Sequence, residues 1–593
     1  MSASGAIKNG PTTLAAPRQR WMIAEPHPSQ AEELAAELRI PLVLAELLIA
    51  RGICTPAQAF SFLNPEVAHL HDPMLMLGMQ AAVDRVELAI ARKEPILLYG
   101  DYDVDGTTAV VLLKTAIEIL GGIVRFHVPH RLREGYGLQS AVLESAYADG
   151  VRLVITVDTG MRAFAEADTA KRIGLDLIIT DHHLAKADDS VPDALAILNP
   201  NQHCCSYPEK SLCGAAIALK LAQALLQRHD PERTRDKLLP SFLKMAAIAT
   251  IADAVPLHGE NRVIAALGLR ELRRPRGAGL RALFAAAQLD PASKPLTGFD
   301  IAFRLAPRIN AAGRMDVASE IIELFCTRDV ARANELAGKL ERLNRERRET
   351  EARALAAIET RLATDSELAD ARLLVVDGDG WHRGVIGILA SRVVERTARP
   401  ALVISVEDGI AHGSGRSVDG FPLLSAIETC ADLFTRFGGH AFAVGFALPA
   451  ESLPELKRRL AECAAERLAG REPERELRIH AELPLHQITS VLAGWLRKLE
   501  PLGHSNPEPI FLAANTRLVS PPRIMKDRHL RLELAQENGS PTRAIGWDMA
   551  SRSADLGLTQ GSQIDIAYRI RENLHPDFGG LEVELAGIRP SAA

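Results

Sequence analysis

The stretch DYDVDG, Asp101 to Gly106, sets three carboxylates at alternate positions directly after the apolar run PILLYG. Three acids this close repel one another unless a cation sits among them, so the stretch asks for a metal ion. An EF-hand calcium loop shares the D-x-D-x-D-G opening but requires a glutamate at its twelfth position. Counted from Asp101 that position is Leu112, and a strand-like run precedes the loop where an EF-hand has a helix, so the calcium reading fails. The alternative puts the acids at the carboxyl end of a strand in an open α/β sheet, where such folds place their ligands.

Neighbouring strand ends should then carry further ligands, and they do. VITVDTG ends a second strand at Asp158, LIITDHH ends a third at Asp181, His182 and His183, and IATIADAVPL offers Asp253 inside an apolar helix. An aspartate behind a strand is often only a helix cap, and a lone buried histidine is more often core than ligand. Four separate segments converging on one sheet edge outweigh those readings. Carboxylates with one or two imidazoles and no thiolate suit Mn2+ or Mg2+. So many acids point to two ions, the apparatus of phosphoester hydrolysis. No protein nucleophile stands near them, so water is the expected attacking group.

The elements that must position these groups are legible from periodicity. PILLYG, VRFHVP, RLVITVD, DLIIT and ALAIL are short apolar runs separated by amphipathic segments such as TTAVVLLKTAIEIL. This predicts an α/β fold with a parallel sheet covered on both faces. The 593 residues exceed a single core. They divide into a flexible tail (1–27), a helical region (28–92), the catalytic α/β domain (93–327), a connecting helix (328–370), a smaller α/β domain (371–470) and a C-terminal domain (471–593). Leu336, Leu340 and Leu343 recur at helical spacing within dense mixed charge, as in one long exposed helix. HLRLELA, QIDIAYRI and LEVELAGI alternate apolar and polar, as half-buried antiparallel strands of a small β-barrel do, with an OB-fold the leading candidate.

Composition adds bounds. Hydrophobic residues at 47% and charged ones at 24% describe an ordinary globular protein. A net charge of −6 does not announce nucleic acid, and a local basic patch would suffice for it. No apolar run reaches membrane-spanning length and the first residues lack the order of a secretory signal, so a cytoplasmic protein with no membrane partner is expected. Cys204, Cys205 and Cys213 could form a zinc site with His203, but a vicinal pair fits no usual spacing, and reduced thiols are expected.

DYDVDG, VDTG, TDHH and ADAVPL, in this order, resemble the four motifs of the DHH phosphoesterase superfamily. Within it, nearly everything from about residue 40 onward is similar to the RecJ family of single-strand-specific DNA exonucleases. The resemblance implies a 5′→3′ exonuclease of DNA repair and recombination that releases mononucleotides with two Mn2+ or Mg2+ ions. It implies single-stranded DNA as substrate, with a single-strand-binding protein and a helicase as partners. Motif by motif, it implies Asp101, Asp103, Asp105, Asp158, His182 and Asp253 as metal ligands, with Asp158 bridging. His183 joins them in catalysis, and Asp181 orients a histidine. It also implies a substrate path along Arg131, Arg308, Asn310 and Arg314, with Arg131 at the terminal 5′-phosphate. The smaller α/β block resembles the DHH-associated domain, which would contact DNA through Arg392, Ser414, Arg416 and His440, next to a helix opening at Arg383 and Gly384. Trp547, Tyr568 and Phe511 are stacking candidates in the barrel, with core packing expected for at least two.

The rivals are a DHH-family oligoribonuclease, a cyclic-dinucleotide phosphodiesterase, a family pyrophosphatase, and a non-catalytic single-strand-binding scaffold. Tyr99 stands where the pyrophosphatases carry a histidine. An acid or histidine at every matched position favours an enzyme over a scaffold.

Overall fold

Residues 95–198 carry a five-stranded sheet in the order Ile123–His127, Pro95–Gly100, Leu153–Val157, Asp176–Thr180, Ala196–Leu198, every pair parallel. The computed structural model describes residues 17–130, 134–135, 137–186, 188–315, 318–536, 539–573 and 579–591. Strand alternation splits the apolar side chains between two faces. Leu97, Tyr99, Val154 and Ile179 pack with the helices Ser140–Ala148 and Phe164–Ile173. Ile96, Leu98, Ile155 and Ile178 pack in the larger core with Val104–Ile119, Gly214–His229 and Leu239–Ala252. Covered on both faces, the sheet is the doubly wound arrangement that the continuous apolar runs predicted.

The first strand, Pro95–Gly100, has the second strand on one side and the third on the other. Strand order therefore reverses between Pro95–Gly100 and Leu153–Val157, and a crevice opens there beyond their carboxyl ends. Asp101 follows one of these strands and Asp158 the other. Topology alone thus sets the two acidic motifs side by side.

The described chain forms two compact units, Ile23–Leu343 with Arg478–Ala593, and Asn344–Leu477 with the segment up to Met22. Some boundaries read from the sequence shift. A strand, Arg18–Ile23, lies within the stretch expected to be a flexible tail, paired with Glu474–Ile479. The helical region 28–92 divides in two. Ala31, Leu44, Leu47 and Phe62 share one core with the C-terminal barrel, whereas Val83 and Val86 of the helix Met79–Arg92 belong to the catalytic core. Arg262, on the helix Gly259–Leu272, ties the first group in place. Its buried guanidinium donates to the carbonyls of Phe62 (2.7 Å), Lys498 (2.9 Å), Leu499 (3.0 Å) and Glu500 (3.1 Å), and lies over the Phe62 ring. A buried cation is tolerated only when its donors are satisfied in this way.

The connecting helix, Val330–Thr364, is continuous as expected but is not simply exposed. Ala333, Leu336 and Leu340 are buried in the catalytic core, and Ala354, Ile358 and Leu362 in the core of the second unit. That unit holds a sheet in the order Arg436–His440, Ala443–Pro449, Ile410–Arg416, Ala401–Glu407, Leu374–Asp379. In the C-terminal domain Phe511–Leu518 pairs with both His529–Ala535 and Gln563–Asn573, while Thr542–Gly546 runs parallel to Gly580–Pro590. These pairings close five strands into an OB-fold barrel. Phe511 and Tyr568 are core residues with ring centroids 5.8 Å apart, and Trp547 is exposed. Among the described residues no helix is long and apolar enough to cross a membrane.

Candidate metal centre

The DYDVDG turn is built by hydrogen bonds that its own spacing creates. Asp103 caps the helix Val104–Ile119, its Oδ1 accepting from the backbone N–H groups of Asp105 (2.8 Å) and Gly106 (3.1 Å). Asn310, on the helix Ala306–Met315, accepts the Val104 N–H at 3.1 Å and completes the cap. Asp105 is buried, and its two oxygens accept from the N–H groups of Gly214 (2.6 Å) and Ala215 (2.8 Å). Those N–H groups open the helix Gly214–His229, whose positive dipole end holds the carboxylate.

Asp158 leaves its strand in the left-handed region, φ 59°, a conformation that aspartate adopts more readily than most residues. Gly214 packs against it so closely that an added Cβ would lie 2.6 Å from the Asp158 Cβ. In the third motif Asp181 accepts from the N–H groups of Met161 (2.8 Å), His182 (2.8 Å) and His183 (3.1 Å), and its Oδ1 lies 2.7 Å from His183 Nδ1. Asp181 therefore orients His183, the supporting task that metal sites usually require. Asp253 stands just past the helix Leu239–Ala252 and not inside it, because Ala254 turns left-handed at φ 55° and ends the helix there.

His182 is the meeting point. Its Nε2 lies 3.1 Å from Asp158 Oδ1 and 3.9 Å from both Asp105 Oδ2 and Asp253 Oδ2. Three sets of ligand atoms lie within 4.8 Å of one another: Asp101, Asp103 and Asp158; Asp105, His182 and Asp253; and Asp158, His182 and His183. All six expected ligands are brought together, and Asp158 belongs to two of the sets. No cysteine joins such a set among the described residues; Cys205 and Cys213 are buried thiols.

The electrostatics follow from this packing. Burial, then repulsion from Asp105, Asp103, Asp101 and Asp253, pushes the Asp158 carboxyl well above its ordinary range. Burial and Asp105 likewise raise Asp103, and burial with Asp105 and Asp103 raises Asp253 to about 9. Burial lowers His182. Burial would also lower His183, but the bond and charge of Asp181 raise it. Packed acids that resist ionisation, beside an imidazole kept neutral, fit a divalent cation with oxygen and nitrogen ligands.

A pH dependence follows. Because Asp103, Asp158 and Asp253 hold protons in the fold that the unfolded chain releases near pH 4, the metal-free protein binds more protons folded than unfolded. Their contribution to stability is fully present below about pH 4 and is lost as pH rises toward the Asp253 value of about 9. Melting curves without metal should therefore shift down between pH 5 and about pH 9, and saturating Mn2+ should flatten the trend. A metal-free melting temperature that climbs steadily across this window would contradict the assignment.

The other expected residues are placed as follows. Arg131 lies outside the described residues. Arg308 pairs with Glu341 at 2.6 Å, which gives it a structural partner already. Arg314 lies on the same helix as Asn310, one residue past Gly313, whose close approach to the Tyr102 carbonyl seats the helix on the motif turn. In the second unit Arg392 is held by Glu395 (2.9 Å) and Glu351 (3.4 Å). Ser414 and Arg416 share the strand Ile410–Arg416, and Arg416 donates to Ser414 Oγ at 3.3 Å. Gly387, in the first turn of Ile386–Thr397, leaves both room: a Cβ there would lie 3.2 Å from Ser414 Oγ. Burial, then the charges of Arg383 and Arg436, lowers His412 on the same strand. His440 is exposed at the end of its strand.

Two residues escaped the sequence reading. Asn199 Nδ2 donates to the His183 carbonyl (2.8 Å) and Asn201 Nδ2 to the His182 carbonyl (2.9 Å). The available signal was that ILNPN closes the last sheet strand at the same edge as the acidic motifs.

A doubly wound sheet with paired acidic motifs at its switch point, a second α/β domain and an OB barrel define a DHH phosphoesterase. Residues 95–250 match the DHH family N-terminal domain, residues 370–466 the DHHA1 domain and residues 479–584 the RecJ OB domain. The single-stranded-DNA-specific exonuclease RecJ of Bacillus subtilis is 37% identical over 566 residues, covering 94% of this chain and 69% of that protein. Crystal structures of RecJ from Thermus thermophilus superpose with TM-scores of 0.82 for its Mn2+ complex and 0.76 for its Mg2+ complex. Their sequence identities are 29% and 28%, and each match spans 97% of this chain, with 80% and 79% of the Thermus chain. The chain belongs to the RecJ family.

Proposed function

We propose that this protein is a single-stranded-DNA-specific exonuclease that degrades from the 5′ end and releases mononucleotides. The convergence of Asp101, Asp103, Asp105, Asp158, His182 and Asp253 at the sheet's switch point carries the reading. Mn2+ or Mg2+, the ions held by the Thermus relative, fit this donor set. When bound, such ions neutralise the scissile phosphate and make water a competent nucleophile.

The chain's own groups supply the rest. Asp105, fixed by the N–H groups of Gly214 and Ala215, cannot swing away when charge arrives. His183, drawn toward its protonated form by Asp181, is suited to hydrogen-bond a phosphate oxygen or the departing one. In the second unit, Ser414 and Arg416 beside a helix N-terminus suit a phosphate of the DNA backbone. The OB domain adds sequence-tolerant grip on a single strand. A cytoplasmic role in repair and recombination, with a single-strand-binding protein and a helicase alongside, completes the proposal.

The test uses end-labelled oligonucleotides with Mn2+: single-stranded DNA bearing a 5′-phosphate, its duplex, and matching RNA. Progressive release of mononucleotides from the 5′ end of the single-stranded DNA alone is expected. Hydrolysis restricted to short RNA, or tight binding without cleavage, would overturn the proposal.

A further inference from the structure

Residues 199–215, NPNQHCCSYPEKSLCGA, run from the last strand of the catalytic sheet to the helix Gly214–His229. We propose that this segment is a brace that fixes His182 relative to Asp105, and so sets affinity for the ion these two share with Asp253, with Asn201 as its principal positioning residue. The proposal rests on the reading of the cluster as a metal centre.

Both ends of the segment grip ligands. At the first end, Asn201 donates its side-chain amide to the His182 carbonyl, Asn199 donates to the His183 carbonyl, and the Asn201 N–H donates to Asn199 Oδ1 at 2.8 Å. At the other end, Gly214 and Ala215 donate their N–H groups to the two oxygens of Asp105. His182 and Asp105, separate in sequence, thus hang from one loop.

Between its ends the loop is closed upon itself and pinned. Lys210 Nζ donates to the carbonyls of Pro200 (2.8 Å) and Cys205 (2.6 Å), which draws the two halves together. Asn261, on the helix Gly259–Leu272, donates to the Ser211 carbonyl at 2.7 Å. Tyr207 OH donates to Glu260 Oε2 at 2.6 Å, and Glu260 Oε1 receives Lys220 Nζ at 2.5 Å and the His71 N–H at 3.0 Å. Lys220 and Glu260 are fully buried, so their charges are tolerated only because each is paired and further hydrogen-bonded. Lys220 stands on the helix whose first turn holds Asp105, so the frame is closed. Two of the segment's three cysteines are packing groups: Cys213, at the N-cap position of that helix, is buried in the core, and buried Cys205 accepts the Leu77 N–H at 3.5 Å, whereas Cys204 is exposed.

Fixing a carbonyl fixes the peptide that aims the side chain. Metal sites need their ligands held within about 0.5 Å, and losing one supporting partner typically costs roughly 10–100-fold in metal affinity or activity. Asn201 is half-buried, so its replacement leaves the core intact.

The experiment titrates the full chain with Mn2+, reading free ion by electron paramagnetic resonance, and records metal-free unfolding in parallel. Asn201→Ala should weaken one Mn2+ site roughly 10–100-fold with little change in the metal-free unfolding midpoint. Asn201→Asp, which keeps the shape and loses the donor, serves the same purpose if the alanine variant does not fold. Gln202→Ala removes two bonds within the same loop, to the carbonyls of Ile197 (2.8 Å) and Asn199 (3.2 Å), and should bind Mn2+ as wild type does. Wild-type affinity in Asn201→Ala overturns the brace. So does equal weakening in Gln202→Ala, which would make the effect one of general loop order. A wild-type chain that takes up no Mn2+ is a separate result: it removes the metal centre and the brace with it.

Discussion

Asp158→Asn should abolish cleavage, by roughly a thousandfold or more, the scale of losing one electrostatic stabiliser of a transition state, and should also raise the melting temperature of the metal-free protein. The two effects share one origin. Asp158 is buried among Asp105, Asp103, Asp101 and Asp253, and its charged form is disfavoured without a cation. A carboxyl whose pKa is raised by folding costs stability at neutral pH, and asparagine, which cannot ionise, removes that cost. The gain should vanish below about pH 4, where folded and unfolded chains both carry the proton. Asparagine is preferred to alanine because residue 158 sits at φ 59°. Asparagine tolerates that region, whereas alanine there adds about 1–2 kcal/mol of strain. Melting curves at pH 4 and pH 8 without metal, with a single-strand cleavage assay, check both halves. A variant that is inactive but no more stable than wild type would show that the acids are not mutually strained.

Gly106→Ala should destabilise the protein by about 1–3 kcal/mol, the usual range for forced overpacking, and reduce cleavage to background. An added Cβ would lie 2.6 Å from the backbone N and O of Asp101 and 2.7 Å from its Cα. Those are main-chain atoms at the end of a central strand, so no side-chain rotation relieves the contact. Opening the turn moves Asp101 away from Asp103, and these two form one ligand set with Asp158. Urea unfolding of the metal-free variant reads the stability term, and single-strand cleavage the functional one. Full activity in Gly106→Ala would mean that the turn can open without disturbing the ligands.

Much of the site was legible because its signals are local. Alternating acids after an apolar run, an aspartate behind VITV and the TDHH motif are each complete within a few residues, and each marks a strand end. The barrel, too, announced itself through period-two alternation in HLRLELA and QIDIAYRI. Arg308 is a different case. The chain marks it as a cation, but its partner Glu341 lies 33 residues away, and only the fold shows that it is already engaged.

The sequence by itself therefore determined the kinds of candidate ligand, the attachment of most of them to strand ends, and the α/β and barrel character of the blocks, because residue type and hydrophobic period act over a few positions. Tertiary structure decided which groups meet. It alone placed the N–H groups of Gly214 and Ala215 on Asp105, more than a hundred residues earlier, and hung His182 from Asn201. It joined Leu44 and Phe62 to the barrel core and satisfied the buried Arg262 with carbonyls of residues 498–500. Those contacts arise from burying apolar surface and pairing buried polar groups across distant segments, and such pairings leave no periodic trace along the chain.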